Sequence, residues 1–174
     1  MASLNGVVLD AFRHNAWASK RLIDFCRQLS SAQLTAPGIA SYGSILETFN
    51  PYVGGDAGYL RGLTGTAPDW LREEAAHLDE LERRVDETHA GWEQLLAEPF
   101  DPERVLILDD GEYECRAGIE VAQALHHANV HREQICAVIT GFGMEPPGLG
   151  VWDYADDIGR GRQRAGATGD LTTL

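Results

Sequence analysis

The chain has 174 residues, of which 44% are apolar, and a formal net charge of −13. That is the size of one domain able to bury a proper core, and the negative balance argues against broad contact with a nucleic-acid backbone or an anionic membrane. No apolar run approaches the length of a bilayer span. The start "MASLNGVVLDAFRHNAW" lacks the basic stretch and cleavage site of a secretory leader, so a cytoplasmic protein is expected. The three cysteines, Cys26, Cys115 and Cys136, form no CxxC pair. They read as small buried hydrophobes rather than a disulfide framework.

Apolar residues at helical spacing from Leu9 to Leu29 predict a first helix over 5–29. "LSSAQL" then reads as a stop and a new cap, and "TAPGIASYG" as loop. "SILE" at 44–47 is a capping box, Ser44 with Glu47, and predicts the start of a second long helix. That helix carries Ile45, Phe49, Tyr52, Val53, Tyr59 and Leu60, contains Pro51, and ends in "GLTGTAP". A third helix follows the spacing of Leu78, Leu81, Val85, Trp92, Leu95 and Leu96. Its many acidic residues are expected to solvate one face. "VLILDDGEYECRA" holds two extended runs around Asp110-Gly111, which predicts a β-hairpin. Residues 118–142 predict the fourth long helix, with Gly143 as its cap. "VWDYADDIG" adds a short helical turn.

The expected fold is all-α: an antiparallel four-helix bundle with a small hairpin before the last long helix. The bundle is expected over 1–158, and a loosely ordered C-terminal tail over 159–174.

The fourth helix reads "ALHHANVHREQICAV" and holds three of the chain's six histidines. On a helical wheel His127 lies above His131 at the edge of the apolar face, while His126 points to solvent. An i,i+4 histidine pair is how a bundle presents metal ligands. It is also compatible with two polar-edge histidines satisfied by hydrogen bonds, and spacing alone favours that second reading. His14 falls on the first helix. His77 and His89 fall on the acidic one and are expected at the surface. The four tryptophans, Trp17, Trp70, Trp92 and Trp152, are expected in the core.

"HHANVHREQICAVITGFGMEPPGLGVWDYA", together with "HNAWASKRLI" and "GSILETFNPYVGGDAGYLRGL", resembles the DinB/YfiT family of metal-dependent bundles over about residues 8–157. The resemblance implies a homodimer and a divalent metal, zinc or nickel, at three histidines. Two of these fall on His127 and His131. The third falls on Pro51, which has no ligand atom. Asn50, Glu47 and Asp56 stand nearby without matching the position. The wider superfamily includes mycothiol-dependent maleylpyruvate isomerase and bacillithiol transferases. It therefore implies a small-molecule substrate and a low-molecular-weight thiol, with transferase or hydrolase chemistry. In that reading Arg132 orients an anionic group, and Tyr52 or Asp56 assists proton transfer. The alternative is a degenerate, non-catalytic bundle that binds a small ligand or acts as a dimeric scaffold. A partner surface on the acidic helix ranks last.

Overall fold

A computed structural model describes residues 4–38 and 43–162. The elements in order are α1 (Leu4–Cys26), α2 (Ser31–Thr35), α3 (Ile45–Thr64), α4 (Leu78–Ala97), β1 (Val105–Leu108), β2 (Tyr113–Arg116), α5 (Ala117–Gly141) and α6 (Val151–Asp157). The four long helices and the hairpin are those expected from the sequence. Among the described residues no helix is long and apolar enough to cross a membrane. Residues 39–42 of the expected loop, and 163–174 of the expected tail, lie outside the described residues. Within the tail, Arg160 donates to Asp10 of α1 at 2.9 Å.

Ser44 caps α3 as anticipated. Its hydroxyl accepts from Glu47 N, and the Glu47 carboxylate accepts from Ser44 N at 2.7 Å. Gly65 closes α3 in the left-handed conformation (φ 75°) that favours glycine. Pro51 sits inside this helix without ending it. A buried face of Ile45, Phe49, Tyr52, Val53, Ala57 and Leu63 holds the turns on both sides, and tertiary packing of that kind outweighs local propensity.

α1 lies against α4 and α5, and α3 lies against the same two from the other side. Three ion pairs fix the α1–α4 direction as antiparallel: Arg13–Glu93 and Lys20–Asp86, both at 2.8 Å, and Arg27–Glu82 at 2.6 Å, Arg27 being the first residue past α1. Part of the acidic face therefore meets cations of α1 rather than water alone. These pairs are exposed and each contributes about 0–1 kcal/mol. The seam beneath them carries more. Phe12 stacks on Trp92 with centroids 4.0 Å apart, and both rings are fully buried. Burying one such side chain stabilises by about 1.5–3 kcal/mol.

α3 and α5 are also antiparallel, since Gly55 faces His127 and Gly62 faces Glu120. α3 and α4 instead run the same way. Asn50, early in α3, hydrogen-bonds Ala75 just ahead of α4, and Leu60 packs on Gly91 further along. The connection over 65–77, with a 3-10 turn at Asp69–Arg72, carries the chain back along the bundle to make this possible.

β1 pairs antiparallel with β2, Leu108 opposite Tyr113. The link is four residues long rather than the two-residue turn usual for Asp-Gly. Asp109 and Asp110 both adopt positive φ (51° and 55°), and Gly111 has φ 100°. Aspartate tolerates the left-handed region better than most side chains.

Candidate functional site

His127 and His131 stand on consecutive turns of α5 and turn toward α3. Their Nε2 atoms are 3.1 Å apart, and the rings meet edge to face with centroids 4.4 Å apart. His131 stacks on Tyr52, and His127 meets the edge of Tyr59 at 5.4 Å. Gly55 makes this approach possible: a Cβ there would lie 2.5 Å from His127 Cε1.

Nδ1 of His131 lies 2.8 Å from Gln134 Oε1. Since an amide oxygen only accepts, Nδ1 carries the proton and Nε2 presents its lone pair toward His127. Burial, with His131 and His126 close by, pushes His127 down to about 4. Burial also lowers His131, opposed by its bond to Gln134. Both imidazoles are therefore neutral at pH 7, the state that ligates metals.

Two nitrogens at roughly 2.1 Å from one ion and 3.1 Å apart subtend roughly 95°, between the octahedral and tetrahedral values. Gln134 supplies the outer hydrogen bond that orients a ligating histidine. The pair thus fits a divalent ion as two of its ligands. It fits less well at His127 Nδ1, which is buried without a hydrogen-bond partner. No third donor joins them: among the described residues no group of three or more His, Cys, Asp or Glu side chains converges.

Pro51 is exposed on α3, one residue before the tyrosine stacked on His131. The three nearby oxygen-bearing side chains are engaged elsewhere. The Glu47 carboxylate closes the capping box. Asn50 bridges α3 to the following connection, donating to Ala75 O at 3.1 Å and accepting from Ala75 N at 2.7 Å. Asp56 accepts from Trp92 Nε1 at 2.9 Å and from Asn15 Nδ2 at 3.4 Å.

Asp56 belongs to a polar network inside the bundle. Arg132, 4% exposed, donates to Asn15 Oδ1 at 2.5 Å and to the Tyr52 hydroxyl at 3.0 Å. Ser19 joins Tyr52 and donates to Asn15 O at 2.6 Å. Arg132 is thus bonded through one guanidinium nitrogen to neutral partners within the core, and it also lines an open cavity beside His14, Asn129 and Glu133. Burial raises the Tyr52 hydroxyl. It also raises Asp56 to about 7, against the opposing pull of the Trp92 hydrogen bond and the Arg132 charge. Tyr52 therefore touches the histidine pair through its ring, while Asp56 is held by Trp92 and Asn15.

The other histidines are dispersed. His126 and His77 are exposed, and His89 is half-buried beside Glu93. His14 contacts Leu149 O at 2.8 Å. Trp70 and Trp92 are core residues and Trp17 is half-buried, whereas Trp152 on α6 is 83% exposed. Cys26 is buried and the other two cysteines are half-buried. Burial pushes the Cys26 thiol up to about 12 and Cys136 to about 11. Cys115 is also raised, so none is activated as a thiolate. Asn15 and Ser19 carried no signal in the sequence beyond helical position.

The fold and this pair define a four-helix-bundle protein whose last long helix presents two adjoining imidazoles across a groove to its second long helix. The family model that matches the chain, over residues 1–162, is that of the DinB family. The chain belongs to the DinB family. No curated protein gives a significant match.

Proposed function

We propose that this chain is a divalent-metal-dependent enzyme of the DinB type, with His127 and His131 as ligands for zinc or nickel and a small molecule as substrate. The observation that supports it is the convergence of two neutral Nε2 atoms at 3.1 Å, one of them oriented by Gln134. When bound, such an ion supplies a nucleophile near neutral pH by acidifying a coordinated water or thiol. Transferase or hydrolase chemistry, with a low-molecular-weight thiol as co-substrate, is the form the superfamily resemblance suggests. The chain's own contribution is to hold both imidazoles neutral, to seat His127 against Gly55, and to pack His131 on Tyr52.

A second reading is favoured by Pro51. With proline in place of the third ligand, the bundle is a non-catalytic remnant that holds a small ligand or works as a homodimeric scaffold. Metal analysis of protein purified without a histidine tag separates the two. Stoichiometric zinc or nickel supports the enzyme. A site that stays empty after supplementation with either ion refutes it and leaves the remnant. Light scattering tests the dimer.

A further inference from the structure

The glycine-lined face of α3 does more than admit His127. Seven residues further on, Gly62 meets Glu120 of α5 in the same way: a Cβ on Gly62 would lie 2.8 Å from Glu120 Oε1. Glu120 is 7% exposed. Among the described residues it has neither a hydrogen bond nor an ion pair, and burial together with Asp109 disfavours its charge. It lines an open cleft of about 810 Å³ between α3, the hairpin and α5. Its carboxylate oxygens keep contact with solvent at the cleft, although most of the side chain around them is buried.

The rest of the cleft is of two kinds. Asp109 and Asp110 add negative charge beside Glu120, and Arg61, exposed on the last turn of α3, is the one cation among the described residues that line it. The same cleft is lined by three large apolar side chains open to solvent, Ile107, Tyr113 and Ile119, each more than half exposed. Tyr59 lines the cleft and also touches His127, so the cleft leads to the histidine pair. Glu120 and His127 are seven residues apart on one helix, roughly 10 Å along the axis.

We propose that this cleft is a subsite for a small organic amine, with Glu120 as counter-ion to its ammonium and Ile107, Tyr113 and Ile119 covering its apolar part. The acidic residues suit a cation, and the carboxylate lacks a partner that an ammonium would supply. The apolar wall suits an aliphatic or aromatic amine rather than a bare ion. That the far end of the amine is delivered to the histidines rests on the metal-enzyme reading above; the amine site itself does not.

The test uses the full chain, freed of metal by a chelator and titrated calorimetrically with phenethylamine and tryptamine. Phenethyl alcohol and tryptophol serve as uncharged counterparts. Each amine is expected to bind about tenfold or more tightly than its alcohol, the worth of one charge-assisted hydrogen bond. Glu120→Gln is expected to abolish that preference. Tyr113→Ala is expected to weaken amine and alcohol alike. If Glu120→Gln does not fold, Asp109→Asn on the exposed link should cut the preference about twofold. Equal binding of amine and alcohol, no binding of either amine, or a preference that survives Glu120→Gln in folded protein overturns the proposal. Zinc titration of the same preparation reads the histidine pair separately. An amine preference without zinc uptake removes the metal reading and keeps the subsite; zinc uptake without an amine preference does the reverse.

Discussion

Replacing Pro51 by histidine tests both halves of the reading of the site. The first effect is on α3 itself. Position 51 lacks the N–H that would bond Glu47 O, and interior proline costs about 3 kcal/mol against alanine in an isolated helix. Because α3 already runs unbroken through Pro51, part of that cost is absorbed, and Pro51→Ala is expected to gain about 1–3 kcal/mol. In a chain of this size each kcal/mol raises Tm by about 2–4 °C. The second effect is on metal. Antiparallel register places position 51 level with His131, since Tyr52 stacks on His131 and Gly55 faces His127. An imidazole at 51 therefore completes a three-histidine set. At a free-ion concentration one hundred times the dissociation constant, binding adds about 2.7 kcal/mol, a further rise of about 5–11 °C. The assay is thermal unfolding with and without zinc or nickel, on the natural protein, Pro51→Ala, Pro51→His, and Pro51→His combined with His131→Ala. Pro51→Ala should show the helix gain alone, Pro51→His both gains, and the double variant should lose the metal-dependent part. A natural protein that binds as tightly as Pro51→His would refute the reasoning and place a third ligand elsewhere.

The packing leads to three further outcomes. Asp56 has its folded value raised to about 7 from 3.8, so it contributes stability that is fully present below about pH 4 and is lost as pH rises toward about 7; Asp56→Asn should flatten that slope in urea unfolding, and an unchanged slope would show that Asp56 is not its source. A Cβ added at Gly54 or Gly58 would meet nothing within 4 Å, whereas one at Gly55 meets His127; alanine should stabilise at 54 and 58 by about 0.5–1 kcal/mol and at 55 should displace the imidazole and lower zinc uptake, as read by melting and metal titration. The Thr88 hydroxyl is buried without a partner, so the isosteric Thr88→Val should be neutral or stabilising by about 1 kcal/mol, and a loss of more than that in denaturant unfolding would reveal a bond to the hydroxyl.

Much of this architecture was legible in the sequence because its signals are local. The Ser44–Glu47 box, the three-four apolar spacing and the extended runs flanking Asp110-Gly111 each depend on residues a few positions apart, and each element forms where those signals lie. The His127–His131 pairing was legible for the same reason, as a property of one helix. What depended on distant partners was not. Helical periodicity says nothing about direction, so the parallel course of α3 and α4 could not be read. The burial of Arg132 requires Asn15 of α1, and Glu120 draws meaning only from Gly62 across the groove. Trp152 follows the apolar-residue expectation in type, yet α6 lies on the outside of the bundle and leaves its ring in water.

The parallel placement of α3 and α4 has a consequence for biosynthesis. α1 packs mainly on α4 and α5 rather than on the long helix that follows it in the chain. Roughly 70 residues separate the end of α1 from the end of α4, which at about 5–20 residues per second is several seconds of translation. Throughout that interval Phe12, Leu22 and Ile23, all fully buried in the finished fold, have no native partner on α4. The nascent chain thus carries part of the apolar face of α1 without its α4 partners until Leu81 and Val85 join the cluster that holds Leu22 and Ile23, and Trp92 stacks on Phe12.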